Sequence, residues 1–173
     1  MRERIIFILI FSLITVNSFS QTRMGTSFRS GFNRIGLYFD QTLNLDFNGH
    51  QCDAGIRYYG PDFVFEKNTV GFSLGYNYNF STSNIYFGPG LSTAFFKENK
   101  TNSDLFLTEL MINNKFGISA GERLSFFSQI GIGAVINKHT NYNSGAISIA
   151  NTSYLNYEIV LGIKYYWRVP ADN

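Results

Sequence analysis

The feature that most constrains the fold of this chain is a strict alternation of apolar and polar side chains, clearest near the C-terminus. From Asn156 to Trp167 the odd-numbered residues are all apolar or aromatic, whereas the even-numbered residues are mostly polar or small. Successive side chains of a β-strand point to opposite faces, so this segment predicts a strand with one apolar and one polar face. Its length suits a membrane, because a tilted strand crosses a bilayer in about 9–11 residues.

The same alternation recurs along most of the chain. It predicts further strands over residues 35–47, 51–59, 69–80, 85–96, 105–120 and 123–137. Ile147 and Ile149 continue the odd-numbered pattern of the final strand, so we expect that strand to begin early. The connections alternate between short turns and longer polar loops, at 48–50, 60–68, 81–84, 97–104, 121–122 and 138–145 in chain order. This order is typical of antiparallel membrane barrels, which carry short turns at one end and long loops at the other.

The strand count follows from two further considerations. Seven strands are well marked, but single-chain bacterial barrels have even strand numbers. In addition, tracing back from a periplasmic C-terminus puts the start of the strand over residues 35–47 on the outside, which requires a further strand before it. We therefore assign residues 23–32 as an additional strand and predict an all-β fold, an eight-stranded antiparallel up-and-down transmembrane β-barrel. Within it, Asn48 and Gly49 suit the positive φ angles of a two-residue hairpin turn. Pro89 cannot donate to a ladder and predicts a bulge or local irregularity.

The composition also favours a membrane barrel. Charged residues make up 15% of the chain and aromatic residues 17%, whereas a soluble domain averages about 25% charged residues. Beyond the N-terminal segment, no stretch approaches the roughly 20 continuous apolar residues of a membrane helix. The net charge of +2 is too small to indicate a nucleic-acid partner. Cys52 is the single cysteine, so no intrachain disulfide forms.

The first 20 residues have the features of a secretory signal peptide. Arg2 and Arg4 form a basic start, residues 5–16 are an apolar core too short to span a membrane as a helix, and Ser18 and Ser20 are the small residues before a cleavage site. We expect cleavage after Ser20, leaving residues 21–173 as the barrel domain of a protein exported to the cell outer membrane. A retained N-terminal anchor is the alternative.

The polar faces of the strands indicate which side is inside. They are dominated by Gly, Ser and Asn, small groups that suit the cramped interior of an eight-stranded barrel. The charges on these faces must be paired if they are buried, which predicts an internal network of Asp40, Asp53, Arg57, Glu109, Lys115, Glu158 and Lys164, with Asp46 beside them. The alternative, a secreted lipocalin-like barrel that binds a ligand, requires the apolar face inside, with Phe72, Leu74 and Ile132 in the core.

In this pattern, residues 24–167 resemble the small outer-membrane barrels of Gram-negative bacteria, of the OmpA, OmpX and opacity-protein type. Gly162, Tyr165 and Trp167 resemble the C-terminal signal that the barrel-assembly machinery reads; Val160, at a position that is usually polar, and the extension 168–173 depart from it. The resemblance implies a monomer that contacts outer-membrane lipid and the assembly machinery and has no cofactor. It also implies a non-enzymatic role in adhesion, binding or envelope integrity through external loops.

His139 raises the one enzymatic alternative. Lipid A deacylases of similar size carry a His-x-Ser-Asn sequence near the end of a late strand, but here Asn141 occupies the position of the nucleophilic serine. Ser144 is the next serine, and a serine nucleophile needs a base within hydrogen-bonding distance. No His or Cys spacing predicts a metal site, and Glu109 and Glu158 are interpreted as ion-pair partners of Lys115, Arg57 or Lys164, not as an acid/base pair.

Overall fold

A computed structural model describes residues 22–61, 64–100, 102–143 and 146–169. The predicted signal peptide lies outside these residues. The described part of the chain forms nine antiparallel strands: β1 (Arg23–Asn33), β2 (Leu37–Phe47), β3 (His50–Tyr59), β4 (Thr69–Tyr78), β5 (Phe80–Thr82), β6 (Ile85–Lys100), β7 (Ser103–Ala120), β8 (Leu124–Asn143) and β9 (Ala146–Arg168). No helix in this part of the chain is long and apolar enough to cross a membrane.

The strands close into a barrel. Each strand pairs with its neighbours in the chain except that β4 and β5 both pair with β6, and the pairing of β1 with β9 completes the ring. The short β5 continues the line of β4 along β6, so the wall has eight strands. The predicted fold is confirmed, and β1 is the additional strand that we assigned to residues 23–32.

The break between β4 and β5 lies opposite Pro89. Asn77 pairs with Gly90 and Phe80 pairs with Phe87, so the register is unchanged across the interruption. Proline has no backbone N–H to donate to the neighbouring strand. The predicted irregularity is therefore a gap in the adjacent strand and not a bulge in β6. The hairpin turn also forms as predicted, with positive φ at Asn48 (47°) and Gly49 (83°).

The two ends of the barrel differ in a way that corrects one prediction. Residues 97–104 and 138–145 were expected to be solvated loops, but β6 to β9 continue through most of them, with only short connections at their tips. Strands β6 to β9 have 16, 18, 20 and 23 residues, against 10 or 11 in β1 to β4. The early start of β9 is confirmed. We call this side the tall end and the opposite side, with residues 48–49 and 83–84, the turn end.

The outer surface of the barrel is apolar. Large apolar side chains such as Ile130 and Leu161 are 57% and 66% exposed, and they alternate along every wall strand with buried residues. Phe72, Leu74 and Ile132 also point outward. This orientation is opposite to the one that a soluble ligand-binding barrel requires. An apolar surface that surrounds a polar interior is what a lipid environment selects.

An aromatic plug fills the lumen at the tall end. Phe65, in the connection between β3 and β4, has no exposed surface and packs with ring centroids 5.5 Å from Tyr59 and 5.6 Å from Phe96. Ile35 joins this core, although it is the first of the odd-numbered apolar residues in the strand predicted over residues 35–47 and was therefore expected on the outer face. The structure begins β2 at Leu37 and leaves Ile35 in the preceding turn, where its side chain points inward.

Candidate functional site

The first charge cluster lies on the tall-end side of the lumen, around Arg57 on β3. Its Nη1 donates to Glu109 Oε2 at 2.6 Å, and its Nε and Nη2 donate to Asp40 Oδ2 at 3.2 and 3.1 Å. Glu158 Oε2 lies 4.0 Å from Nη1. All four side chains are buried, so one guanidinium holds carboxylates from three other strands of the wall. We call this the Arg57 cluster.

Neutral donors complete the hydrogen bonding of these carboxylates. Their contacts are Tyr38 Oη to Glu158 Oε2 at 2.9 Å, Gln129 Nε2 to Glu158 Oε1 at 2.7 Å, Tyr59 Oη to Glu109 Oε1 at 2.7 Å and Ser73 Oγ to Asp40 Oδ1 at 2.9 Å. The guanidinium carbon of Arg57 also lies 4.0 Å from the centroid of the Tyr38 ring. Because a buried charge is tolerated only when it is paired and hydrogen-bonded, these donors stabilise the charged state of the cluster.

The second cluster lies nearer the turn end and is centred on Asp53. Arg29 Nη2 donates to Asp53 Oδ2 at 2.6 Å, and Lys115 Nζ is 3.5 Å from the same oxygen. Gln51 donates to Asp53 Oδ1 at 2.6 Å and accepts from Lys164 Nζ at 2.6 Å. Gln51 thus links Lys164 to the carboxylate that the other two cations face. Lys164 Nζ also donates to Asp46 Oδ2 at 3.2 Å, at the mouth of the lumen.

The seven predicted lumen charges, Asp40, Asp53, Arg57, Glu109, Lys115, Glu158 and Lys164, are all buried inside the barrel. The structure gathers them into two clusters and not one network. Glu109 and Glu158 both face Arg57, while Lys115 and Lys164 face other carboxylates. The sequence reasoning missed Arg29. Its position between the outward Phe28 and Ser30 marks it as inward, but residues 23–32 alternate too weakly to show this.

Small residues of the lumen wall make room for large rings on the neighbouring strand. A Cβ atom on Gly31 would lie 2.2 Å from Tyr38, and one on Gly117 would lie 2.2 Å from Tyr86. Each glycine is the direct cross-strand partner of the ring that covers it. Gly71 with Phe96 and Gly162 with Phe127 repeat the arrangement. The glycine-rich polar face is therefore the packing surface for the aromatic side chains of the lumen.

The residues of the predicted assembly signal lie on two faces of β9. Tyr165 and Trp167 point outward and are 44% and 46% exposed, whereas Gly162 faces the lumen under the Phe127 ring. Val160, which departs from the usual pattern, is buried in the apolar core. Packing inside the lumen therefore explains the residue types at positions 160 and 162. Exposure on the apolar outer surface explains the aromatic residues at positions 165 and 167.

Gly162→Ala separates the packing role from the signal role. The new Cβ would lie 2.3 Å from Phe127 Cζ, and overpacking of this kind costs about 1–3 kcal/mol of unfolding free energy. Urea unfolding in detergent should show this loss, and Phe127→Leu in the same chain should recover part of it. If Gly162→Ala lowers the assembled yield in cells and Phe127→Leu does not restore it, the packing explanation is wrong and the signal role is favoured.

His139 lies at the tall end of the barrel, opposite Leu105 of β7. It is half-buried and lines a cavity of about 400 Å³ with Arg34, Lys100, Asn137 and other side chains. Ser144 lies outside the described residues. No group of three or more His, Cys, Asp or Glu residues in the described part of the chain could hold a metal ion.

An ion pair links the connection between β3 and β4 to the protruding part of β6. Lys100 Nζ donates to Glu66 Oε1 at 2.7 Å and lies 3.5 Å from Glu98 Oε2. The hydrogen bond from Lys100 lowers the pKa of the exposed Glu66 and raises that of Lys100. The backbone N–H of Lys67 donates to Glu98 Oε1 at 3.1 Å. These contacts hold the connection that carries the Phe65 plug.

Comparisons with known proteins bear on the fold of the chain. No protein-family description and no curated protein matches the chain. Among solved structures, it is similar to the N-terminal β-barrel domain of OprF from Pseudomonas aeruginosa, with 13% identity and a TM-score of 0.53 over 85% of this chain and 98% of that one. It is also similar to a major outer membrane protein from Thermus thermophilus, with 12% identity and a TM-score of 0.49 over 84% of this chain and 99% of that one. At these identities the likeness to OprF concerns the fold alone. The chain has the fold of a small, closed outer-membrane β-barrel.

Proposed function

We propose that this protein is a non-enzymatic barrel of the bacterial outer membrane that holds a rigid sheet above the cell surface for adhesion or binding. The observation that carries this proposal is the combination of an apolar wall with four strands, β6 to β9, that extend well beyond the others. In outer-membrane barrels the long connections are extracellular and the short turns periplasmic. The tall end is then outside the cell.

The interior supports a binding role over a transport role. The Arg57 cluster and the Phe65 plug occupy the lumen, and eight strands leave an interior just wide enough for side chains. A wide aqueous channel has no room in such a barrel. The charges inside are used to hold the wall strands together, and the surface left for recognition is the protruding sheet.

The proposal includes the route to the membrane. Residues 1–20 direct export and are removed, outer-membrane lipid surrounds the wall, and the barrel-assembly machinery recognises Gly162, Tyr165 and Trp167. Within one membrane the barrel is a monomer, since its lumen charges face one another inside a single wall. Both the apolar wall and the C-terminal aromatic residues support this route.

Removal of the protruding tip tests the proposed role. Joining His139 to Ala150 through Asn-Gly deletes the tip in register and leaves the membrane wall intact, because these cross-strand partners point their backbone groups toward each other, as a two-residue turn requires. The shortened protein should remain in the outer-membrane fraction and keep its heat-modifiable migration on gels, while cell adhesion or aggregation falls to the level of cells without the protein. A freely soluble mature protein, or adhesion that survives the deletion, would contradict the proposal.

The same cells provide the check on the hydrolase alternative. Mass spectrometry of lipid A should show the same acyl chains with the native protein, with His139→Ala and without the protein. A loss of one acyl chain that depends on His139 would overturn the non-enzymatic assignment.

A further inference from the structure

The protruding part of β9 has one unpaired edge. Pairing of β9 with β1 ends where Asn33 meets Glu158, whereas β9 pairs with β8 up to Ala146. Over residues 146–157, no described strand lies on the β1 side of β9. An edge of this length is a template for another strand, because its N–H and C=O groups are arranged for a further ladder.

Two hydrogen bonds fix which backbone groups point to this edge. Arg34 Nη1, on the β1 side, donates to the carbonyl of Leu155 at 3.2 Å. On the far side of the hairpin, the N–H of Tyr142 donates to the carbonyl of Asn102 at 2.8 Å, so the odd residues of β8 face β9. Because backbone groups of alternate residues point to the same side, the N–H and C=O groups of Ile147, Ile149, Asn151 and Ser153 point away from β8. We call these four residues the free edge.

The free edge lacks the features that protect exposed strands. Residues 141–157 contain no Asp, Glu, Lys, Arg or Pro, although charges and proline are the usual means by which edge strands avoid pairing. Ile147 and Ile149 are 71% and 58% exposed. Asn151 and Ser153 separate them from the apolar wall, so lipid contact does not account for these isoleucines.

We propose that the free edge pairs with the free edge of a second copy of this chain, in an antiparallel ladder around a two-fold axis at Ala150. This inference rests on the proposed function, which places the tall end outside the cell. The register opposes Ile147 to Ser153 and Ile149 to Asn151, so every N–H and C=O of the free edge gains a partner. Two identical uncharged strands do not repel each other.

Ala150 fits the centre of this ladder. In the proposed ladder it faces Ala150 of the second copy, in a pair that exchanges no backbone hydrogen bonds. The two Cα atoms of such a pair are about 4.5 Å apart, and the small alanine side chains permit that approach.

The orientation of the strands determines where the second copy lies. Two copies in one membrane direct β9 the same way, whereas an antiparallel ladder needs opposite directions. The partner is therefore in a facing membrane, and the contact joins two cells or two vesicles.

Cysteine cross-linking tests the register. In a Cys52→Ala background, Ala150→Cys should form a disulfide-linked dimer under a mild oxidant, in detergent, faster than any other single substitution on the segment. Ser148→Cys is the matched control, because the two copies of this residue lie four positions apart in the ladder. Ser148→Cys mixed with Thr152→Cys should cross-link, since the register places these residues opposite each other. Equal cross-linking of Ala150→Cys and Ser148→Cys alone would overturn the proposal.

Vesicle clustering tests the contact between membranes. Lipid vesicles that carry the protein should aggregate, because many weak contacts act together, and Ile149→Pro should abolish clustering by removing one edge donor without touching the β8 ladder. Clustering that is unchanged by Ile149→Pro, or no clustering by the native protein, would overturn self-pairing. If clustering survives Ile149→Pro while adhesion to other surfaces is lost with the tip, the proposed function stands and this inference alone is rejected.

Discussion

Arg57→Met is expected to destabilise the barrel by about 3–5 kcal/mol, the usual cost of removing one partner from a buried ion pair. The variant leaves the carboxylates of Asp40, Glu109 and Glu158 buried without the guanidinium that faces all three. Urea unfolding in detergent micelles or bilayers, followed by heat-modifiable migration, measures the loss.

Two variants make this prediction specific. Lys97→Met removes an exposed ion pair with Asp104 and should cost about 0–1 kcal/mol, as surface pairs do. Adding Glu109→Gln to Arg57→Met should recover part of the loss, because one uncompensated carboxylate disappears. If Arg57→Met is no more harmful than Lys97→Met, the Arg57 cluster does not hold the wall together.

Ile130→Arg is expected to destabilise the barrel in a bilayer by about 2–4 kcal/mol, the cost measured for arginine or lysine on the lipid face near the membrane centre. Ile130 lies in the middle of the outward row of β8 and is 57% exposed. In a soluble protein, an arginine at so exposed a site would change stability by less than about 0.5 kcal/mol. Unfolding in lipid vesicles therefore distinguishes a wall that faces lipid from one that faces water.

Asn151→Arg is the control for the membrane effect. It lies on the same outward face of the hairpin, beyond the apolar band, and should leave the unfolding free energy within about 0.5 kcal/mol of the native value. Equal effects of Ile130→Arg and Asn151→Arg would contradict the assignment of the wall to lipid. A strong effect of Asn151→Arg alone would move the membrane boundary upward along β9.

Much of the fold could be predicted from the sequence because a barrel wall repeats one rule. Each strand separates its apolar from its polar side chains by parity, so Glu158 and Lys164 could be placed inside, and Leu161 outside, without any knowledge of their neighbours. The parity of a residue shows which face of the wall it lies on, but not which side chain it pairs with across the lumen. Glu109 lies far from Arg57 in sequence, and their pairing depends on the curvature that brings β3 and β7 together across the lumen.

Three features escaped prediction for physical reasons. The protruding hairpins lie beyond the apolar band, so residues 97–104 and 138–145 have no apolar face that contacts lipid, and their composition is that of a loop. Tyr59 continues the polar parity of its strand, but its position under the Phe65 plug depends on a connection with no periodic pattern. Arg29 belongs to a strand whose outward face carries serine and threonine as well as phenylalanine, which weakens the contrast between its faces.

The most direct test of the central claim, that the odd-numbered side chains of β9 from Tyr157 to Trp167 contact lipid, uses tryptophan fluorescence. Trp167 is the only tryptophan in the chain, so Trp167→Phe with Leu161→Trp moves the probe to the middle of the apolar band. In vesicles with acyl chains brominated near the bilayer centre, we predict strong quenching of this variant and little quenching by aqueous iodide. Quenching by iodide, with no effect of the brominated chains, would contradict the account.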